Sequence, residues 1–293
     1  MRLALSLFIS TFLFVMIAAL IVAGHPREAT AESEPNYFKT LQQRLIEDDF
    51  SADLISKIFT NSALAFDIDG VSAYFRHRES TLNYDQFLSA KSIRSAREYM
   101  NAHEAELSKI EAEYGVDKTV ITAIMLVETR LGTYVGNRSV INTLATMAAL
   151  TDPGVRERFW NNLPDDVTIT RDKFEKKADS KSAWAYRELK AFIKYVDSEN
   201  FDPHTINGSY AGALGIAQFM PSNIPLFAKD GNGDGQINLF DHGDAIASIA
   251  NYLKHYGWKP GLSREEAGDV IYHYNHSKYY VNTVLKISDK LKG

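Results

Sequence analysis

The chain has 293 residues, 45% hydrophobic and 24% charged, with 32 lysines and arginines against 37 aspartates and glutamates and a formal charge of −5. Those proportions suit one large folded domain or two ordinary ones and exclude disorder, while the shortage of basic residues argues against a nucleic-acid partner. There is no cysteine, so disulfide frameworks, thiolate metal sites, cysteine nucleophiles and cysteine-borne lipid anchors fall away.

In chain order, residues 3–23 carry no charge and are long enough to cross a bilayer as a helix. One reading is a cleaved signal peptide, with Arg2 as its basic start and Ala29-Thr30-Ala31 as a small-x-small cleavage site. The other is a retained anchor. Either puts the remainder outside the cytoplasm. The predicted organisation is a signal peptide or anchor over 1–31 and a globular region over 32–293. Within the latter, 32–83 is a helical N-terminal part and 84–293 a core that bears the motifs.

Residues 28–36 read as a polar linker. From Tyr37 onward, Phe38, Leu41, Leu45 and Ile46 recur at helical spacing, as do Leu54, Ile55, Ile58 and Phe59. One long amphipathic helix is predicted over 92–114, ending at Gly115. Asp117 is expected to cap an unusually apolar helix over 120–127. Residues 151–181, with Pro153, Gly154 and Pro164, read as loops around a short helix, and 183–196 as a helix. The segment 207–215 is rich in glycine and alanine, 230–235 is a loop, and 245–256 and 269–291 read as closing helices. Period-two alternation is scarce, so the fold class is mainly α.

Glu128 ends the apolar run, in VETRLGTYVG. A carboxyl group there could simply pair with Arg130 or a backbone amide. Desolvation by apolar surroundings would instead raise its pKa and suit it to general-acid work on a glycosidic oxygen. The stretch GSYAGALGIAQFMPS (208–222) offers backbone that a ligand can approach closely, with neutral hydrogen-bonding groups at Ser209 and Gln218. Such groups suit uncharged polyols, although close helix packing through Gly212 and Gly215 would also explain the small residues. The cluster YNHSKYY (274–280) adds aromatic and amide groups, or else is an ordinary amphipathic helix.

Asp230, Asn232 and Asp234, followed by Gly235, match the start of an EF-hand loop, in which hard oxygen ligands suit calcium and the glycine permits a sharp turn. Gln236 stands where a backbone carbonyl serves as ligand. Asp241 occupies the position of the usual closing glutamate. The expected role is a structural Ca2+ site, and no organic cofactor is expected. His273 and His276 read as surface histidines, because no third ligand accompanies them. Gly208 directly precedes Ser209, which breaks the G-x-S-x-G pattern of a serine hydrolase.

Taken in order, VETRLGTYVG, GSYAGALGIAQFMPS, DGNGDGQINLFD and YNHSKYYVNTV resemble the membrane-bound lytic murein transglycosylase B family (glycoside hydrolase family 103), from about Tyr84 to the C-terminus. The resemblance implies a lysozyme-like transglycosylase fold, with 32–293 as the catalytic region. It implies cleavage of the MurNAc-β-1,4-GlcNAc bond of peptidoglycan to leave a 1,6-anhydromuramic end, with Glu128 as sole general acid and base. It implies that Ser209 is the hydrogen-bond partner near that glutamate, and that Gln218, Phe219, Tyr252, Tyr274 and Tyr280 line the sugar subsites. Arg156 would reach the peptidoglycan, Tyr84 would be a cleft tyrosine, and Asp244 would close a longer calcium loop. Leu131, Ile216-Ala217 and a long stretch over 164–181 depart from the family pattern. The implied partner is the glycan strand, met in the periplasm, with residues 3–23 as an inner-membrane tether if they are retained. A muramidase that uses water and a non-catalytic peptidoglycan-binding protein are the alternatives.

Overall fold

The computed structural model describes residues 36–76 and 83–293. The signal or anchor expected over 1–31 lies outside those residues. Among the described residues no helix is long and apolar enough to cross a membrane.

The first helices follow the apolar spacing. Helix α1 (Lys39–Glu47) buries Leu41 and Leu45, and α2 (Ala52–Phe59) buries Ile55 and Ile58. Ser51 starts α2 by accepting the Leu54 N–H, as an N-cap should. Helix α3 (Ile68–Arg76) follows, and a 3-10 turn, Tyr84–Leu88, leads into α4 (Ala90–Ala102) and α5 (Glu104–Tyr114). The single helix expected over 92–114 is therefore two. The chain leaves helical geometry at His103, whose ring stacks on Tyr99 and whose Nδ1 lies 2.7 Å from Glu106. Gly115, at φ 71°, ends α5.

Helix α6 (Lys118–Thr129) buries nine of its residues and forms the centre of the molecule. A helix that is apolar nearly all round has no solvent face and must be enclosed. Asp117 stands at its start without capping it. The Asp117 carboxylate accepts from Lys292 at 3.1 Å, and the Lys118 N–H donates to Glu111 at 2.9 Å instead. Helix α7 (Val140–Ala149) is likewise enclosed. The region expected as loops contains α8 (Pro153–Asn161) and the first third of α9 (Arg171–Ser198), 28 residues long. Thr170 caps α9, and the pairs Lys176–Asp172 and Arg171–Glu175 at i,i+4 support a stretch whose inward face has few apolar residues.

Helices α10 (Ile224–Phe227), α11 (His242–His255), α12 (Arg264–Tyr274) and α13 (Lys278–Lys292) complete the fold. The closing helix expected over 269–291 is broken, because Asn275 is extended (φ −147°, ψ 120°) and Ser277 caps a new helix through the Tyr280 N–H. His276 lies in that break, so it does not share a helix with His273. Helix α9 packs along α7, α13 along α6, and α11 along α5. A two-residue antiparallel ribbon joins β1 (Arg138–Ser139) to β2 (Asn207–Gly208), with Arg138 opposite Gly208. The architecture is mainly α, as expected.

Candidate active site

Glu128 occupies the last turn of α6 and is half-buried. The Tyr280 hydroxyl, from the first turn of α13, donates to Glu128 Oε1 at 2.7 Å. The ring of Tyr280 lies nearly parallel to that of Tyr274, 6.4 Å away, and Tyr84 meets it edge-on at 6.4 Å. The Tyr274 hydroxyl donates to the Ala217 carbonyl at 2.5 Å. Burial pushes both phenols well above their ordinary range, and the charge of Glu128 adds to the shift. Both therefore remain O–H donors at any physiological pH. The charge of Glu128 thus acts on both tyrosines.

The backbone beyond Glu128 turns sharply. Arg130 (φ 51°), Leu131 (φ 63°) and Gly132 (φ 83°) are all left-handed, and the first two amides bond back to the Leu126 and Met125 carbonyls. A non-glycine residue in that region costs roughly 1 kcal/mol or more, a strain often found beside functional groups. Thr129 fixes the turn, since its hydroxyl donates to the Ile216 carbonyl at 3.1 Å and accepts the Gly132 N–H at 3.0 Å. Sequence reading passed over Thr129. Its signal was a hydroxyl residue directly after the candidate acid, just where the helix must end.

The segment 207–219 lies against this turn. A Cβ on Gly136 would come within 2.0 Å of the Gly208 carbonyl oxygen, so the two segments touch backbone to backbone. The Ser209 hydroxyl accepts N–H bonds from Ala211 (3.2 Å) and Ala213 (3.1 Å), which hold the loop in a tight turn. Gln218, at φ 50°, donates its amide to the carbonyls of Val135 (3.1 Å) and Gly215 (2.8 Å). Its N–H groups thus tie the two loops together.

The other expected site residues are placed differently. Phe219 is buried and packs behind Tyr274 and Tyr252. Tyr252 is buried as well, and its hydroxyl donates to the His273 carbonyl at 2.7 Å. Both support the tyrosine pair from beneath. Arg156 donates to the Leu150 carbonyl at 2.7 Å and pairs with Glu175 (3.0 Å) and Asp179 (2.7 Å), which ties α8 to α9.

The loop after α10 is built on acid-to-amide bonds. Asp230 accepts N–H bonds from Gly233, Asp234 and Gly235, while Asp234 accepts that of Gln236. Asp244 is fully buried and accepts from Gly231 (2.9 Å), Asn232 (3.3 Å) and Asn238 (2.7 Å). Asp241 instead caps α11 through the Gly243 and Asp244 amides. Among the described residues, no three His, Asp or Glu side chains converge on one point. The donors themselves are hard oxygens of the kind that calcium takes.

A family model described as the transglycosylase SLT domain matches residues 33–268. The chain belongs to this family. Within it, the chain is 32% identical over 189 residues to membrane-bound lytic murein transglycosylase B of Escherichia coli strain K12. That alignment covers 64% of the chain and 43% of the relative, so the chain spans less than half of that protein.

Solved structures of lytic transglycosylases share the fold. The soluble lytic transglycosylase SltB1 of Pseudomonas aeruginosa superposes with a TM-score of 0.70 at 23% identity, over 88% of this chain and 98% of that one. The Escherichia coli lytic transglycosylase SLT35 in complex with calcium gives 0.67 at 22% identity, over 88% and 93%.

Proposed function

We propose that this chain is a peptidoglycan lytic transglycosylase that cleaves the MurNAc-β-1,4-GlcNAc bond and leaves a 1,6-anhydromuramic end. The observation that carries the reading is Glu128, a half-buried carboxyl group oriented by Tyr280 at the end of an enclosed helix. Glycoside hydrolases of either stereochemistry ordinarily use two carboxylates. One suffices when the sugar supplies its own nucleophile. Glu128 protonates the glycosidic oxygen as the C1–O bond breaks, and the GlcNAc side leaves as an alcohol. The Glu128 carboxylate then takes the proton of the C6 hydroxyl while that oxygen bonds to C1. Nucleophile and reaction centre belong to one ring, which replaces an encounter with water by an intramolecular closure. The name of the Escherichia coli relative, a murein transglycosylase, supports the same substrate class.

In this reading the half-buried rings of Tyr84 and Tyr274 meet the sugar, the buried Tyr280 acts from behind by aiming Glu128, and Ser209 and Gln218 shape the neighbouring loop. The loop over 230–244 holds a structural Ca2+ through Asp230, Asn232, Asp234 and the Gln236 carbonyl. Asp244 closes it, because Asp244 is turned into the loop whereas Asp241 caps α11. The uncharged run over 3–23 supports action in the periplasm.

Mass spectrometry of murein digested by the purified protein tests the reading. Anhydro products, lighter by one water than hydrolytic ones, are expected. Reducing ends alone would assign a muramidase, and undigested murein would remove the activity.

A further inference from the structure

Helix α9 carries Lys177 and Lys181 one turn apart, and like charges at that spacing repel. The acids nearby are already engaged. Asp172 pairs with Lys176, Glu175 with Arg156 and Arg171, and Asp179 with Arg156. Neither Lys177 nor Lys181 has a carboxylate within ion-pair distance among the described residues. Each lies instead over aromatic rings. Lys177 is 5.5 Å from the centre of Tyr74, and Lys181 is 5.2 Å from Tyr74 and 5.5 Å from Trp184. Lys177 also donates to the Tyr74 carbonyl at 3.3 Å, so its ammonium group is held in place. Burial and the neighbouring Lys181 press its pKa below the ordinary value. A carboxylate placed between the two ammonium groups would offset their mutual repulsion.

The rings beneath form a continuous surface. Tyr74 lies 6.1 Å from Trp184 and 5.9 Å from Tyr210, and all three are half-buried. Tyr210 directly follows Ser209, on the loop that Tyr274 holds through Ala217. The cationic surface therefore adjoins the loop that packs against the turn after Glu128. Aromatic faces flanked by two ammonium groups that have no carboxylate partner among the described residues suit a ligand that is apolar in part and carries carboxylates.

We propose that Tyr74, Trp184, Tyr210, Lys177 and Lys181 form a platform that binds the carboxylate-bearing peptide stem of the strand being cut. This rests on the peptidoglycan reading above. It adds a preference, because strands with free stem carboxylates are held more tightly than strands without them.

The test is calorimetric titration of the full chain with GlcNAc-MurNAc-peptide, either with free stem carboxylates or with the same groups amidated. This disaccharide lacks the bond to be cut, so binding is read without turnover. The free acid is expected to bind about fivefold to tenfold tighter, the order of two half-exposed ion pairs, and to lose that margin at high salt. The margin should vanish in Lys177→Gln/Lys181→Gln and return in Lys177→Arg/Lys181→Arg, which controls for folding. Equal affinity for the two ligands in the unaltered protein would overturn the platform. So would a margin that survives in the Gln variant, or binding to anionic phospholipid vesicles with no preference between the muropeptides. Murein digestion with the same preparation reads the activity separately: intact murein with a preserved carboxylate margin sinks the activity and supports the platform.

Discussion

The Tyr280 hydroxyl reaches Glu128 at 2.7 Å across 152 positions of sequence. The bond joins the start of α13 to the end of α6 and is made from a side chain that is 1% exposed. A buried phenol whose proton is held by burial and by the neighbouring carboxylate is a fixed donor. It sets the direction in which the acid points before any sugar arrives, which is the form of preorganisation that catalysis rewards.

Glu128→Gln is expected to abolish murein cleavage, by at least about a hundredfold, with the melting temperature nearly unchanged. The amide keeps the shape and cannot pass a proton. Tyr280→Phe should lower kcat about tenfold with little effect on KM, because it removes orientation and leaves the ring stack with Tyr274 in place. Full activity in the Gln variant would take Glu128 out of the mechanism.

Calcium should raise the thermal midpoint of the metal-depleted protein, with a rise that continues as concentration exceeds the dissociation constant. Magnesium should give little, since it demands a tighter octahedron than an irregular oxygen loop supplies. Asp244→Asn should weaken the calcium response more than Asp241→Asn does. Identical melting curves with calcium and after thorough chelation would remove the ion.

Gly136→Ala should destabilise the protein and lower activity together. The backbone there is left-handed (φ 103°), and the added methyl would meet the Gly208 carbonyl oxygen at 2.0 Å. A penalty of about 1–3 kcal/mol is expected from strain alone. Gly233→Ala meets no neighbouring atom within 4 Å and serves as the comparison, carrying only the conformational cost of its own positive φ. Denaturant titration of both variants measures the difference.

Asp152 caps α8 through the Gly154 and Val155 amides and accepts the Thr40 hydroxyl at 2.8 Å. That hydroxyl and then those amides hold its carboxyl below the ordinary 3.8. In the folded state the group thus gives up its proton more readily than in the unfolded state. Its stabilisation is complete above 3.8 and is lost as pH falls through the lowered folded value. Asp152→Ala should cost about 1 kcal/mol at neutral pH. The gap between variant and parent should narrow on acidification below that point. A gap independent of pH would mean that the loss is one of packing.

The apolar helix ending at Glu128 was legible because enclosure on every side leaves a plain signature, and the site tyrosines were legible through their motif. The break after Tyr274 was not. Apolar positions continue at helical spacing from Val270 and Ile271 to Val281 and Val284, so periodicity alone runs straight through. What stops the helix is one extended residue, Asn275, and a serine cap. The first third of α9 was missed for the opposite reason. Its inward residues are only Phe174 and Ala178, and its support comes from charge pairs that a hydrophobic pattern does not register. Arg156 reads as a ligand-facing arginine in its motif, yet the acids that engage it lie on a segment expected to be loop.

Helix α9 also has a mechanical consequence. Its C-terminal end grips the acidic loop: the Glu199 carbonyl accepts from Gln236 at 2.7 Å, its carboxylate accepts the Ile237 N–H at 3.0 Å, and Tyr195 donates to the Ile237 carbonyl at 3.0 Å. Near the other end stand Lys177 and Lys181. At 1.5 Å per residue, residues 177 and 199 are roughly 33 Å apart along one unbroken rod. The helix acts as a ruler, since it fixes that separation whatever the surface loops do. The Glu199 contacts thereby tie the acidic loop to the same rod that carries the lysines, a surface they never touch.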